Sequence, residues 1–269
     1  MIYTGCFTFL YIVAILLMGV PFLILEYGVG YNFKSSFPKA IRKIHRKAEF
    51  LGWLLPVSVF IIMIYYSCIL GWDGIYVILS FFKGWGADPN TFFAATLLQS
   101  SESATGLTSF IPVIAIAMLI SWLIVWFISH KDLEEGLGKV SKILVPLLFV
   151  IMIAIVAFSL TLPGAMIGLN ELFAPDWSLL LDFDIWMAAF GQIFFSLSLG
   201  MGAGFTYASY TEDDVDLITN TLSIAFANCA FENFCALGVF SILGYMSLQS
   251  GTAVADLVTQ GTGLVFIAY

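Results

Sequence analysis

The sequence predicts an all-α, polytopic membrane protein with about six transmembrane helices. Of its 269 residues, 61% are hydrophobic and only 10% are charged, and long apolar runs alternate with polar breaks. Soluble domains carry about 25% charged residues, which excludes a water-soluble globular protein. A span needs about 20 apolar residues, and a single segment in lipid must satisfy its own backbone hydrogen bonds, so the spans are predicted to be helices.

The apolar runs predict one transmembrane domain over residues 1–269. Its spans cover about 5–30, 49–81, 108–129, 143–163, 186–210 and 219–247. Nine of the ten Lys and Arg residues lie in the polar stretches 31–48 and 130–142, which the positive-inside rule places in the cytoplasm. Alternation then places the acidic loop 211–218 inside as well. The outside segments are 82–107, 164–185 and 248–269.

This topology puts both ends of the chain outside the cell. An external N-terminus requires a signal peptide or a preceding span, yet the first apolar run has no charged n-region and is too long for a signal peptide. We therefore expect a helix upstream and further sequence downstream. The chain is predicted to be a fragment of a larger membrane protein.

Glu26 lies in the segment GVPFLILEYGVG, near the cytoplasmic end of the first span. A charge at the centre of the bilayer costs about 2.5–3.5 kcal/mol on insertion scales, so such a residue usually faces a partner inside the bundle. Two interpretations are open. Glu26 is either an interfacial carboxylate at a helix end or a buried acceptor for backbone donors of a broken neighbouring helix.

The fifth span carries Gly200, Gly202 and Gly204 at alternate positions, directly after Ser196 and Ser198. One interpretation is that these glycines only allow close packing between membrane helices. The sharper interpretation is a discontinuous helix, whose freed backbone groups bind ions and carboxylates in many secondary transporters.

Two polar pairs lie four residues apart and so share a helix face: Gln192 with Ser196, and Asn228 with Glu232. If the two faces meet, they form a polar cluster inside the membrane. Hydrogen bonding between helices is one explanation for such residues. A buried carboxyl such as Glu232, however, must be protonated, paired or bound to a cation, and each of these states allows it to switch.

Tyr65 and Tyr66 lie mid-span, where packing and ligand contact are both open interpretations. The two histidines, His45 and His130, fall in predicted cytoplasmic loops. The sequence contains no zinc-type ligand spacing and no phosphate-binding GxxxxGK[ST] motif. We therefore do not expect an enzyme.

The segment GQIFFSLSLGMGAGFTYASY, Gly191 to Tyr210, resembles the sixth helix of the neurotransmitter:sodium symporter family. Further segments resemble the second helix (GVPFLILEYGVG), the third (AEFLGW with IYYSCILGW), the fifth (GLGKVSKILVPLLF) and the seventh (FANCAFENF). The resemblance implies an inverted-repeat fold of the leucine-transporter type, incomplete at both ends. It also implies a sodium-coupled amino-acid symporter of the cell membrane that works by alternating access.

The resemblance implies a set of substrate-binding residues on the third and sixth helices. They are Tyr66 for the substrate carboxylate, Ile62 and Ile69 for the side-chain pocket, Phe195 as an aromatic lid, and Ser198 and Met201 at the unwound segment. Ser196 and Asn228 resemble ligands of the first sodium site. Glu26 resembles a brace of the broken helices.

The resemblance also concerns an anion site, which in eukaryotic relatives binds chloride. Its counterparts here are Tyr11, Gln192, Ser196 and Asn228, and Glu232 stands where those relatives have a serine. Glu232 would then supply the negative charge itself. This implies transport without chloride, and a proton switch at Glu232 that makes uptake sensitive to pH.

The family's first and eighth helices and its outer-gate charge pair have no counterpart in this sequence. The implied ligands are sodium ions, without an organic cofactor. The expected partners are an amino-acid substrate and membrane lipid, but no nucleic acid, and a homodimer is one candidate assembly. The alternative is a truncated, non-transporting membrane protein that associates with a full-length transporter, or the relic of a broken gene.

Overall fold

The computed structural model of the protein describes residues 5–86, 88–100 and 110–257. In this part the chain is helical and has no β-strand. The α-helices are α1 Gly5–Ala14, α2 Val20–Phe33, α3 Phe37–Ile44, α4 Glu49–Ser80, α5 Pro89–Thr91, α6 Pro112–Ser129, α7 Lys139–Leu160, α8 Ala165–Phe173, α9 Phe183–Ser196, α10 Ala203–Ser209, α11 Leu217–Ser250 and α12 Val254–Leu257. Residues 108 and 109 of the third predicted span, and parts of the outside segments 82–107 and 248–269, lie outside the described residues.

Among the residues that the structure describes, five helical stretches are long and apolar enough to cross a membrane. They are Phe7–Phe33, Arg46–Ser80, Pro112–Ser129, Glu134–Leu160 and Leu217–Ser250. They confirm the predicted class, an all-α polytopic membrane protein. The remaining predicted span, 186–210, consists of two shorter helices, α9 with 14 residues and α10 with 7. At about 1.5 Å per residue, neither can cross a hydrocarbon layer of roughly 30 Å by itself.

Two predicted loops contain helices that the hydropathy pattern does not reveal. The predicted cytoplasmic stretch 31–48 contains α3, which has Pro38 in its first turn and buries Pro38 and Ala40. The segment 164–185 contains α8. Both helices have fewer than ten residues, too few for a hydrophobic period to stand out from the neighbouring polar residues.

Contacts divide the described part of the chain into two compact units. The first comprises Met1–Ile61 with Phe158–Ala255. In this unit α1 and α2 form one helical rod, joined by the π-helical turn Ile15–Gly19, and the rod packs against α9 and α11. The core of this packing consists of Tyr11, Ala14, Ile15, Leu23, Ile193, Leu197, Leu199, Ala225 and Cys229.

Within the same unit, α8 lies directly on the backbone of α11. A Cβ atom at Gly168 would overlap the carbonyl oxygen of Phe240, and a Cβ at Gly244 would lie 3.1 Å from the Cα of Gly168. Glycine at these positions therefore allows the two helices to touch backbone to backbone. This contact fixes α8 over the C-terminal half of α11.

The second unit comprises Ile62–Ala157 with Asp256–Tyr269. The C-terminal part of α4 contacts α6, where a Cβ at Gly71 would lie 2.9 Å from Cγ of Met118. Near its end, α4 carries an aromatic cluster in which the rings of Trp72 and Phe93 meet edge to face at 5.7 Å. Most apolar side chains of α6 and α7 are exposed, as expected for lipid-facing helices.

Candidate functional site

The helix formed by α9 and α10 is broken over residues 197–202, at the position the glycines predict. Ser198, Gly200 and Gly202 have positive φ angles of 52°, 71° and 74°. Glycine adopts this left-handed region without a steric penalty, whereas Ser198 does so at a cost. The alternation of αL residues with ordinary ones folds the backbone into tight turns and ends the regular helical hydrogen bonding.

The break leaves backbone groups available to ligands. Met201 donates its N–H to the carbonyl of Ser198 at 3.2 Å, which closes one turn. The carbonyls of Leu199 and Gly200 accept no backbone hydrogen bond from the described part of the chain. Free carbonyls at a helix end carry partial negative charge and favour cations.

Glu26 on α2 binds this break directly. One of its carboxylate oxygens, Oε1, accepts the N–H of Gly200. The other, Oε2, is buried and has no hydrogen-bond partner among the described residues. Of the two interpretations of Glu26, this contact matches the buried acceptor for a broken helix, and the free oxygen can accept one more donor.

Gly204 allows α10 to approach α2 this closely. A Cβ atom at Gly204 would lie 2.6 Å from Cε2 of Tyr27 and 3.2 Å from Oε2 of Glu26. Any side chain there would push α10 away from the carboxylate. In the sequence, Gly204 is marked only by its place in the series with Gly200 and Gly202.

Glu232 on α11 accepts hydrogen bonds from three side chains. Its Oε2 accepts the hydroxyl of Tyr11 at 2.6 Å and that of Ser196 at 2.7 Å, while Oε1 accepts the amide of Gln192. These donors come from two neighbouring elements, α1 and α9. The carboxyl group of Glu232 thus joins α1 and α9 to α11 through hydrogen bonds.

Asn228 extends the cluster by one more step. Its amide nitrogen lies 2.7 Å from Oγ of Ser196 and 3.4 Å from the backbone carbonyl oxygen of Ser196. Because the Ser196 hydroxyl accepts from Asn228, its own hydrogen points to Glu232. The chain of hydrogen bonds therefore runs from Asn228 through Ser196 to Glu232.

The predicted sodium ligands, Ser196 and Asn228, thus meet at the C-terminal end of α9. Together they offer a backbone carbonyl, a hydroxyl and a side-chain amide with its own oxygen. Oxygen groups at an unwound helix end are the ligands that transporters use for sodium. These oxygen atoms are of the kind that binds sodium, which would be cargo here, but in this structure the amide nitrogen of Asn228, rather than its oxygen, faces Ser196. Glu232 lies one hydrogen bond away.

A cavity of about 150 Å³ adjoins the cluster. Its lining residues are Phe7, Thr8, Tyr11, Leu172, Gln192, Glu232, Asn233, Ala236 and Phe240. The polar groups Thr8 and Asn233 are not among the predicted site residues. They sit on α1 and α11, beside the residues that bind Glu232, and no motif in the sequence marks them.

The predicted substrate residues fall into two groups, one in each unit. In the second unit, Ile62, Tyr66 and Ile69 follow each other at intervals of four and three, so they share one face of α4. The side chain of Tyr66 is 49% exposed. In the first unit, Phe195 is the last residue but one of α9, and Ser198 and Met201 lie in the break. The substrate role of each group remains a prediction. The role of Glu232 as a proton switch also remains a prediction.

The chain matches the profile of the sodium:neurotransmitter symporter family over residues 3–92 and 86–269. An uncharacterised sodium-dependent transporter of Methanocaldococcus jannaschii is 39% identical over 272 residues, which cover 100% of this chain and 55% of the relative.

Two animal transporters are more distant relatives. A sodium- and chloride-dependent GABA transporter 2 of Bos taurus is 26% identical over 98% of this chain and 49% of its own length. A creatine transporter of Torpedo marmorata is 26% identical over 98% of this chain and 48% of its own length. The chain therefore spans about half the length of these relatives.

Proposed function

This chain belongs to the sodium:neurotransmitter symporter family, and from that premise we propose that it acts in a sodium-coupled amino-acid symporter that works by alternating access and needs no chloride. Members of this family are transporters rather than enzymes, and the chain is a multi-pass membrane protein. The archaeal relative and the bovine transporter are both described as sodium-dependent. Amino-acid specificity and chloride independence are the finer parts of the proposal.

The observation that carries the proposal is the set of donors around Glu232. Tyr11, Gln192 and Ser196 surround the carboxylate as they would surround a bound anion. A negative charge next to the oxygens of Ser196 and Asn228 stabilises a sodium ion there, because opposite charges interact strongly in a site of low dielectric constant. The carboxylate thereby replaces the free anion.

The bovine GABA transporter is described as sodium- and chloride-dependent, and the resemblance implies that eukaryotic members have a serine at the position of Glu232. A fixed carboxylate in place of that serine is the chemical reason for proposing that this chain needs no chloride.

For the substrate, we propose an α-amino acid with a medium or large apolar side chain. On α4, Ile62 and Ile69 would contact its side chain and the Tyr66 hydroxyl its carboxylate. In the helix break, Met201 is long and flexible and would adapt to side chains of different shape. A clear preference for glycine over leucine would count against this proposal.

The assays use the full-length protein, by which we mean this chain together with the regions that its relatives carry beyond the match. Where the same gene does not encode them, they are taken from the M. jannaschii relative. The protein is reconstituted in proteoliposomes, and uptake of labelled leucine is measured with a sodium gradient. Potassium replaces sodium in the control.

We expect uptake only with the sodium gradient, at a rate that does not change when gluconate replaces chloride. Sodium-driven uptake that stops without chloride would support the sodium-coupled symporter but contradict the proposed role of Glu232. A folded protein that neither binds sodium nor takes up an amino acid would favour the alternative, a non-transporting partner of another transporter.

A further inference from the structure

The basic residues between α2 and α4 differ in whether their side chains have a partner within the protein. Three of them have partners in the chain: Lys34 pairs with Asp213, Arg42 lies 3.4 Å from a carboxylate oxygen of Glu49, and Lys43 donates to the carbonyl of Phe33 at 3.1 Å.

The side chains of the other three, Lys39, Arg46 and Lys47, are exposed and form no ion pair or hydrogen bond with another described residue. Three cations on one short segment therefore have no counter-charge within the described part of the chain.

The segment that carries these cations is rigidly held. Helix α3 packs edge to face on α10 through Phe37 and Phe205, with ring centroids 5.2 Å apart. It also lies against the start of α4, where a Cβ at Gly52 would be 2.6 Å from the Cα of Pro38. The packing of α3 on α10 and α4 therefore holds in place the backbone that carries the cations, which is not a mobile loop.

Exposed apolar side chains stand next to the free cations. Ile44, just before Arg46, is 62% exposed, and Phe50, just after Lys47, is 68% exposed. From Phe50 the exposed apolar surface continues along α4 through Leu51, Trp53 and Leu54. A surface with cations at one edge and a lipid-facing helix at the other fits a molecule with an anionic headgroup and apolar chains.

We propose that Lys39, Arg46 and Lys47 form a binding site for anionic phospholipid headgroups of the inner leaflet, with Ile44 and Phe50 as apolar anchors. The site rests on the predicted cytoplasmic position of 31–48 and is independent of the transport mechanism. A clustered set of Lys and Arg immediately next to a transmembrane helix attracts anionic lipids, with about a fivefold gain in affinity for each cation.

The acidic loop of the same chain is the competing partner for these cations. Among its residues, Asp213 pairs with Lys34 and accepts the hydroxyl of Tyr31 through its backbone carbonyl. Glu212 and Asp214 are exposed and form no ion pair with a described residue. The loop thus neutralises the Lys34 end of the basic segment and leaves Lys39, Arg46 and Lys47 to an external anion.

The test measures binding of fluorescent phosphatidylglycerol to the purified full-length protein in detergent, with unlabelled phosphatidylglycerol or phosphatidylcholine as competitor. The variant is Lys39→Gln with Arg46→Gln and Lys47→Gln. The matched control is Lys131→Gln with Lys139→Gln and Lys142→Gln, which removes the same number of cations from the other basic stretch, where Asp132, Glu134 and Glu135 already offset their charge. Thermal stability in phosphatidylcholine verifies that both variants fold.

We expect the parent to prefer phosphatidylglycerol and the first variant to lose about tenfold or more in affinity for it. The control variant should change by less than about threefold. Equal losses in both variants, or a parent without preference, would overturn the proposal. Millimolar inorganic phosphate should not displace the lipid, and full displacement by phosphate would show a site for soluble anions instead.

Discussion

The hydroxyl of Tyr11 donates a hydrogen bond to Oε2 of Glu232 at 2.6 Å and so joins two residues 221 positions apart. Tyr11 is 5% exposed, so water cannot readily replace this donor. A hydrogen bond to a charged group contributes about 1.5–3 kcal/mol. The bond therefore ties α1 to α11 as well as orienting the carboxylate.

Tyr11→Phe is expected to lower the free energy of unfolding by about 1.5–3 kcal/mol, because the ring remains and only the donor is lost. Chemical denaturation in lipid–detergent micelles measures the change. Tyr65→Phe is the matched control, since Tyr65 is half-exposed and has no hydrogen bond to another described residue. Equal stability of the Tyr11 and Tyr65 variants would contradict the hydrogen bond.

Gly204→Ala is expected to separate α10 from α2. The added Cβ would lie 2.6 Å from Cε2 of Tyr27, a ring held against neighbouring helices, and overpacking of this kind costs about 1–3 kcal/mol. Gly191→Ala on α9 is the control, because a Cβ there has no other atom within 4 Å. Alanine is the better helix former, so the Gly191 variant should be neutral or slightly more stable in the same denaturation assay.

Much of this site follows from local patterns in the sequence. The break at 197–202 is predictable because Gly200 and Gly202 supply positive φ angles within an otherwise helical run. The cluster at Glu232 is predictable because Gln192 with Ser196, and Asn228 with Glu232, each repeat at four residues. In both cases the signal lies within one helix.

Other features depend on which backbones meet in space. The approach of Gly204 to Tyr27 and the bond from Gly200 to Glu26 join residues more than 170 positions apart. Hydrophobic periodicity along the sequence cannot predict such a pairing. The ion pair between Lys34 and Asp213 could not be predicted either. The charge pattern predicts two cytoplasmic loops but does not indicate which of their residues contact each other. Short helices such as α3 are missed for lack of length.

Tyr66→Phe tests the substrate assignment on α4. If the hydroxyl binds the substrate carboxylate, its loss should weaken amino-acid binding by about 1.5–3 kcal/mol, or roughly 10- to 150-fold. Equilibrium binding of labelled leucine to the full-length protein gives the affinity. Tyr65→Phe again serves as the control and should bind as the parent does. An unchanged affinity of the Tyr66 variant would refute the assignment.

The predicted topology can be tested with single cysteines on a background without native cysteines. Cysteines at Lys43 and Lys139 should resist an impermeant thiol reagent applied to intact cells, because both positions lie in the predicted cytoplasmic stretches. A cysteine at Ser178, in the predicted outside segment 164–185, should be labelled rapidly. Fast labelling at Lys43 and Lys139 would show the opposite topology. The proposed lipid site would then not face the inner leaflet.

The central claim is that Glu232 takes the place of a bound anion. Glu232→Ser would leave the donors Tyr11, Gln192 and Ser196 without an acceptor, at a position that a chloride ion can fill. Glu232→Gln is the control, since it removes the charge but keeps the side chain in the site.

The decisive measurement is sodium-driven leucine uptake by proteoliposomes of the parent and the Glu232→Ser variant, in chloride and in gluconate. We predict that the parent transports equally in both media, and that the serine variant transports only in chloride. The glutamine variant should be slow in both media. A parent that requires chloride, or a serine variant that transports equally well without it, would contradict the account and make Glu232 a structural residue.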